Sequence, residues 1–484
     1  MIQQKQSNEY DVILLGSGVG SLVAGTLLSR GKLSVLLLKE KGYEGSFTKE
    51  GYRFIPFSNC SEKIIRAPSA KRLFQMVTLS SLATSKTDHP SWGQEVPFQI
   101  ILPEARIDLF CDRAQMSSEW RREFPEELPR VEQFYREMAY ERSRLRREEN
   151  REGSLPFFPL RPPSMLHRFL SSEPLLGLSP FAKEFRAFVH LQLMAWGSLR
   201  PDRFATSLAA YLLSFDEAKE WVSDVDLEEM KGKLLTDYLR SGGRVEEIET
   251  VERIYKGWTK GVAILLSGNG KMLRSKFLVL SAPLHRIVNL PGRKGKRLSR
   301  WAQRVRPRDV LFPFFLGIQE KVVPVGMRDF VISLRDYEKP YEDGNLLFLA
   351  LSPKGDEGRA PKGKRALTVE SLVPWEIYTE RWDEASASEH RAGVMQHVRH
   401  LIPFLEDHIE FMDCDQGNQL IRHWSYPHFH YESTAPFVWR EGLIPTRLSR
   451  NVYLAGNQNS PYLGLEGEAL SGWMVAKQIL RKYS

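Results

Sequence analysis

Apolar and polar positions divide the opening of the chain into two short strands and one helix. Val12–Leu15 is an apolar run of strand length that stops at Gly16. From roughly Val19 to Arg30 the pattern is helical, and Gly31 stands where a C-capping glycine belongs. Val35–Leu38 is a second apolar run of strand length. Gly16, Gly18 and Ser21 lie between the first strand and the helix, in the spacing G-x-G-x-x-S. Gly16 permits the turn. Gly18 lets the backbone approach a pyrophosphate that the free N–H groups and positive end of the helix attract. The stretch predicts a dinucleotide-binding βαβ unit with Gly16, Gly18, Val19, Gly20 and Ser21 around the phosphates.

Two positions depart from that fingerprint. Ser21 replaces the third glycine, which predicts slightly looser packing of helix on strand. Lys39 takes the place where an acid normally accepts hydrogen bonds from the ribose, and Glu40 follows it. Strand side chains alternate, so one of the two should face the site. A one-residue slip after Gly31 makes that residue Glu40. The rival is Lys39 reading a phosphate.

Further along, Leu128, Val131, Phe134, Tyr135, Met138 and Leu145 recur at helical spacing within residues 119–152. That stretch carries nine Arg and ten Glu, which nearly cancel, so a solvated face is expected. Residues 154–170 are apolar, punctuated by prolines, and read as a packed loop or as a membrane-dipping or tunnel-mouth edge. Residues 235–290 are strand-rich with turns at Gly242-Gly243 and Gly268-Asn269-Gly270. Val310–Ile318 and Leu346–Leu351 read as strands, and 380–405 as an outer helix carrying His397 and His400. Near the end, Val452–Leu454 is a strand, and a glycine-started helix runs from about Gly467.

The chain has 484 residues, 42% of them hydrophobic, with 11 Trp, enough for two or three domains with a large core. No apolar run approaches the ~20 residues of a membrane span, and the polar start Met1–Tyr10 does not read as a signal peptide. Cys60, Cys111 and Cys414 are far apart and form no metal or redox motif, so a reducing, cytoplasmic setting is expected. The net charge of +8 is local. Residues 293–308 hold eight Lys/Arg and no acid, which leaves the remainder neutral. Nucleic-acid binding is therefore not expected. The basic stretch is expected to touch an anionic membrane surface or an acidic partner.

Gly42-Tyr-Glu44-Gly45-Ser46-Phe47, then Gly51-Tyr52-Arg-Phe54, joined to the opening motif, resembles the phytoene desaturase and carotenoid isomerase-like flavoprotein family. Glu44 replaces the first of that family's paired glycines, and Ile55 its aspartate. Ser352-Pro to Ala360-Pro361-Lys-Gly363 is similar to a family turn in the substrate domain. Leu454-Ala455-Gly456-Asn457, followed by Gly464-Leu-Glu466-Gly467-Glu468, resembles the closing motif, with Asn457 in place of the usual acid. A Pro-x-Gly-Gly turn is absent where Asp224-Val-Asp-Leu stands. The resemblance implies an α/β fold: a Rossmann-like FAD-binding domain of the glutathione reductase type, from residues 1–80, 235–300 and 445–484. An inserted α+β substrate domain would come from residues 81–234 and 301–444.

The same resemblance implies FAD as cofactor and a large apolar, polyene or isoprenoid substrate. It places Gly45, Ser46, Val251 through its backbone, Gly456, Asn457, Gly467 and Glu468 near the cofactor. Glu468 favours the start of its own helix but opposes an anionic flavin. Flavin redox chemistry needs few protein groups, so Tyr462, in the loop facing the expected flavin, is the only catalytic candidate. His423, His428 and His430, clustered with Tyr426 and Tyr431, could line the active site, ligate a metal or be structural. Two other readings stay open. One is an amine oxidase-like flavoenzyme. The other is a non-catalytic lipid or prenyl-group binder with a degenerate site, as in the Rab GDP-dissociation inhibitors.

Overall fold

The computed structural model describes residues 8–43, 45–55, 98–110, 112–151, 181–198, 200, 206–213, 227–256, 261–268, 270–287, 299–300, 302–303, 305–433, 445–459 and 463–483. Seventeen strands lie among them, numbered β1–β17 in chain order. The strands form two large sheets and one small hairpin.

The first sheet grows from the opening apolar runs. β1 (Glu9–Leu15) lies between β2 (Val35–Glu40) and β10 (Met272–Leu280), parallel to both. β7 (Arg244–Ile248) extends the sheet beyond β2, also in parallel. β8 (Val251–Lys256) and β9 (Val262–Leu266) form an antiparallel meander into the first half of β10, and β17 (Val452–Leu454) pairs in parallel with its second half. Parallel central strands must be covered on both faces. Val12, Leu14, Val35 and Leu37 pack under three helices: α1 (Val19–Arg30), α2 (Leu227–Arg240) and α3 (Gly464–Leu480). Ile13, Leu15, Leu36 and Leu38, on the alternate face, join the larger core shared with the second sheet.

The second sheet is mostly antiparallel. It contains β5 (Phe98–Ile101), β6 (Arg106–Leu109), β11 (Val305–Gln319), β12 (Phe330–Leu334), β13 (Leu346–Leu351), β14 (Lys364–Pro374), β15 (Ile409–Asp413) and β16 (Phe429–Ser433). The hairpin of β3 (Phe47–Lys49) and β4 (Tyr52–Phe54) packs on this sheet: Phe47 sits edge-on to Phe315 at 4.8 Å, and Phe54 stacks on Phe411 at 5.8 Å. Packing thus places residues 47–54 with the second sheet and α2 with the first. Tyr238 of α2 is fully buried and donates to Arg244 O at 2.8 Å, which fastens the helix to β7.

Local departures from the sequence reading have physical causes. The charged stretch breaks into two helices, Arg113–Glu123 and Leu128–Arg151, around Pro125, whose ring cannot donate to a helical ladder. Helix Glu384–Leu401 presents histidines inward. His397 Nε2 lies 2.9 Å from Ser333 Oγ, and His390 Nε2 lies 2.6 Å from Ser371 Oγ. Burial pushes both rings down to about 4, so each is a neutral tether. Residues 154–170, and 293–298, 301 and 304 of the basic stretch, lie outside the described residues. Arg306 and Arg308, at its end, both pair with Glu432. No described helix is long and apolar enough to cross a membrane.

Candidate functional site

Three parallel strands end level with one another. Leu15 is opposite Leu280, and Leu280 is opposite Leu454. The chain then steps off each strand in turn: Ser281 N donates to Leu15 O at 2.8 Å, and Ala455 N donates to Leu280 O at 2.8 Å. Gly16, Ser281 and Ala455 therefore sit side by side at the head of α1. Gly16 has φ +99°, which its lack of a Cβ permits.

A cleft of about 970 Å³ of atom-free space, including its mouth, opens here. One wall is Gly16–Val19, Ser281–Pro283, Gly456–Gln458 and the first turn of α3, with Glu468. The other wall comes from Tyr43, Ser198, Lys231 of α2, Leu311 of β11, and Ser425, Pro427, His428 and Tyr431. Three buried oxygens in this cleft have no hydrogen-bond partner: Ser281 Oγ, Ser425 Oγ and Asn457 Oδ1. Buried polar atoms are normally satisfied, so these mark unmet bonding capacity. Asn457 Nδ2 donates to Ser198 Oγ at 3.2 Å, which holds its oxygen in place.

The close backbone approach at the head of α1 is made at Gly20, one residue before Ser21. A Cβ at Gly20 would lie 2.3 Å from Ala455 O, and one at Gly472 would lie 2.2 Å from Gly20 O. Ser21 is fully buried and its Oγ has no partner.

Glu40 is buried, whereas Lys39 reaches outward to Glu247 at 3.5 Å. The Glu40 carboxylate accepts from His423 Nδ1 at 3.0 Å and from the backbone N–H groups of Trp424 and Ser425 at 3.1 and 2.8 Å. It thus pins to the end of β2 the segment that forms the far wall of the cleft. Glu40→Gln keeps the shape but turns an N–H toward these donors. It is expected to lower unfolding free energy by about 1–3 kcal/mol, while Lys39→Ala, at a partly exposed pair, should stay within about 0.5 kcal/mol. Urea titration of both variants checks this.

The three histidines of the 423–430 segment do not converge. His423 serves Glu40, His428 lines the cleft, and His430 is fully buried edge-on to Phe348 at 5.9 Å. Burial pushes His428 and His430 down to about 3, so both rings are neutral. No group of three metal-ligating side chains occurs among the described residues. Of the other expected site residues, Val19, Gly456, Asn457 and Glu468 line the cleft, and Gly45, Ser46, Val251 and Gly467 do not. Val251 instead opens the edge strand β8. Tyr462 lies outside the described residues. Tyr431, from the same cluster as the histidines, lines the cleft as well, whereas nothing in the sequence reading points to Ser281, Ser425 or Lys231 as lining residues. Only Ser281 had a signal, as the polar residue that ends the apolar run 277–280.

Known proteins give the fold a context. Residues 321–480 match the family model described as flavin containing amine oxidoreductase. A triple mutant of putrescine oxidase, redesigned in cofactor binding, superposes with a TM-score of 0.66 at 13% identity, over 98% of this chain and 99% of that one. Cyclohexylamine oxidase from Brevibacterium oxydans gives 0.57 at 13% identity, over 98% and 99%. An oxidoreductase from Methanosarcina mazei gives 0.59 at 11% identity, over 96% and 100%. An inactive all-trans-retinol 13,14-reductase from Danio rerio is 25% identical over 138 residues, 27% of this chain but only 22% of that protein's length. The chain has the fold of the two amine oxidases and the archaeal oxidoreductase: a Rossmann-like nucleotide-binding domain with an inserted substrate domain.

Proposed function

We propose that the protein is an FAD-dependent oxidoreductase acting on a large apolar substrate. The observation that carries this reading is the level ending of β1, β10 and β17, which sets bare backbone at Gly16 and Gly456 beside unsatisfied Ser281 at the head of α1. That cradle suits a dinucleotide: amides and a helix end for the diphosphate, and unpaired oxygens at Ser281, Ser425 and Asn457 for its polar groups. FAD, when bound, supplies a two-electron acceptor. The chain's own part is to hold it and keep water out. Leu311, Pro427, Tyr431 and Leu454 give the cleft an apolar side. The neutral ring of His428 adds no charge that an apolar substrate would have to strip of water. Polyene and isoprenoid compounds match such a wall.

The family match at residues 321–480 supports a second reading, oxidation of an amine on the same cofactor. The purified protein is expected to carry flavin absorption bands, or to acquire them on adding FAD, and to bleach anaerobically with a polyene substrate. A protein that stays colourless and takes up no FAD would overturn the proposal. Bleaching by primary amines and not by polyenes would move the substrate to the second reading.

A further inference from the structure

The cleft already holds an anion of the protein's own. Glu468, in the first turns of α3, turns its carboxylate across to α1, where Oε1 accepts from Gly20 N at 3.3 Å. It comes so close to the turn that a Cβ at Gly18 would lie 2.3 Å from Oε1. These are the amides and the helix end that would receive a diphosphate. Two anions cannot share them at short range without strong repulsion.

We propose that Glu468 is a proton-operated latch on the nucleotide site: its carboxylate holds the anion position at the head of α1 and must be neutralised or displaced before a dinucleotide binds. The proposal rests on the FAD reading above. The groups that face the cleft leave this conflict unresolved. α1 brings no charged side chain to its N-terminus, and the residue that follows β10 is the uncharged Ser281. Tyr43 and Tyr431 are phenols, and burial keeps the Tyr431 hydroxyl protonated and His428 neutral. Lys231 of α2 is the one cation among the described lining residues, set against a carboxylate and two phosphates. Burial also raises the affinity of Glu468 for its proton, against the opposing pull of Lys231. Protonated Glu468 no longer repels a diphosphate, and its O–H can donate to one. Loading then takes up one proton per dinucleotide wherever Glu468 is ionised in the unloaded protein, so the apparent dissociation constant should rise up to tenfold per pH unit in that range.

FAD titrations followed by flavin fluorescence between pH 5.5 and 8.5 test this, on the full chain and on Glu468→Gln. The wild type should weaken as pH rises. The glutamine variant, neutral at every pH, should show a flat profile and bind at least tenfold more tightly at pH 8. A parallel measurement avoids the flavin. Inorganic pyrophosphate at pH 8 should raise the melting temperature of Glu468→Gln and Glu468→Ala but not that of the wild type. The latch is overturned if wild type and Glu468→Gln share one flat FAD affinity, or if pyrophosphate stabilises all three proteins equally or none of them. If pyrophosphate stabilises only the variants while FAD binds none of the proteins, the latch stands and the FAD reading falls.

Discussion

Replacing Arg200 with methionine is expected to lower folding stability by about 3–5 kcal/mol, measured as a shift of the urea midpoint at constant slope. Arg200 follows the helix Lys183–Trp196 and is buried against the buried Asp309 and the partly buried Glu342. Its Nε and Nη2 each lie 2.8 Å from Asp309 Oδ2, and Nη2 also pairs with Glu342. The guanidinium lies over the ring of Tyr341 at 5.4 Å. Without it, two carboxylates remain in a site that admits little water. One guanidinium already fails to compensate both: Asp309 Oδ1 is buried without a partner, and burial pushes the Asp309 carboxyl up to about 6.

The sign of the pH dependence follows. Folded Asp309 holds its proton more firmly than the unfolded chain does. Its contribution is full below about pH 4 and is lost as pH rises through about 6, a decline of roughly 2–3 kcal/mol. Asp309→Asn should remove that slope between pH 4 and 6. If the slope survives in the variant, another group causes it.

Gly20→Val should be nearly as damaging, at about 3 kcal/mol, because the new side chain has nowhere to go. Its Cβ would meet backbone, not a flexible side chain: Ala455 O at 2.3 Å, Ala455 C at 2.8 Å and Glu468 O at 2.9 Å. Relief would push α1 away from β17 and α3, which opens the head of the cleft and withdraws Gly20 N from Glu468. Ser21→Gly is the control. It restores the fingerprint residue at a buried helix position that already accommodates a Cβ, and should change stability by no more than about 1 kcal/mol, the ordinary helix penalty of glycine. Chemical denaturation of the two variants separates the positions. Equal losses at 20 and 21 would show that the contact is shared.

The unequal roles of Gly20 and Ser21 show where local pattern stops. Val12–Leu15, Val35–Leu38 and the helix between them form as their apolar spacing and glycines predict, and so does the closing strand Val452–Leu454 before α3. Those elements depend on neighbours a few residues away, and the period of burial along each is written in the chain itself. The break at Pro125 was equally local and could have been read. The inward histidines of Glu384–Leu401 were not legible, since their partners Ser333 and Ser371 come from other strands.

The same division runs through the site. Sequence by itself determined the βαβ unit, the bare backbone at Gly16 and Gly18, and a second glycine-containing loop after β17. Tertiary structure alone decided which glycine touches which carbonyl, that Glu40 pins residues 423–425, that Arg200 meets Asp309 and Glu342, and that Glu468 lies on the head of α1. Each of these joins residues about 100 to 450 positions apart, through strand order and helix crossing. No local propensity encodes such a pairing, because its energy appears only when the two sheets and their covering helices have closed around it.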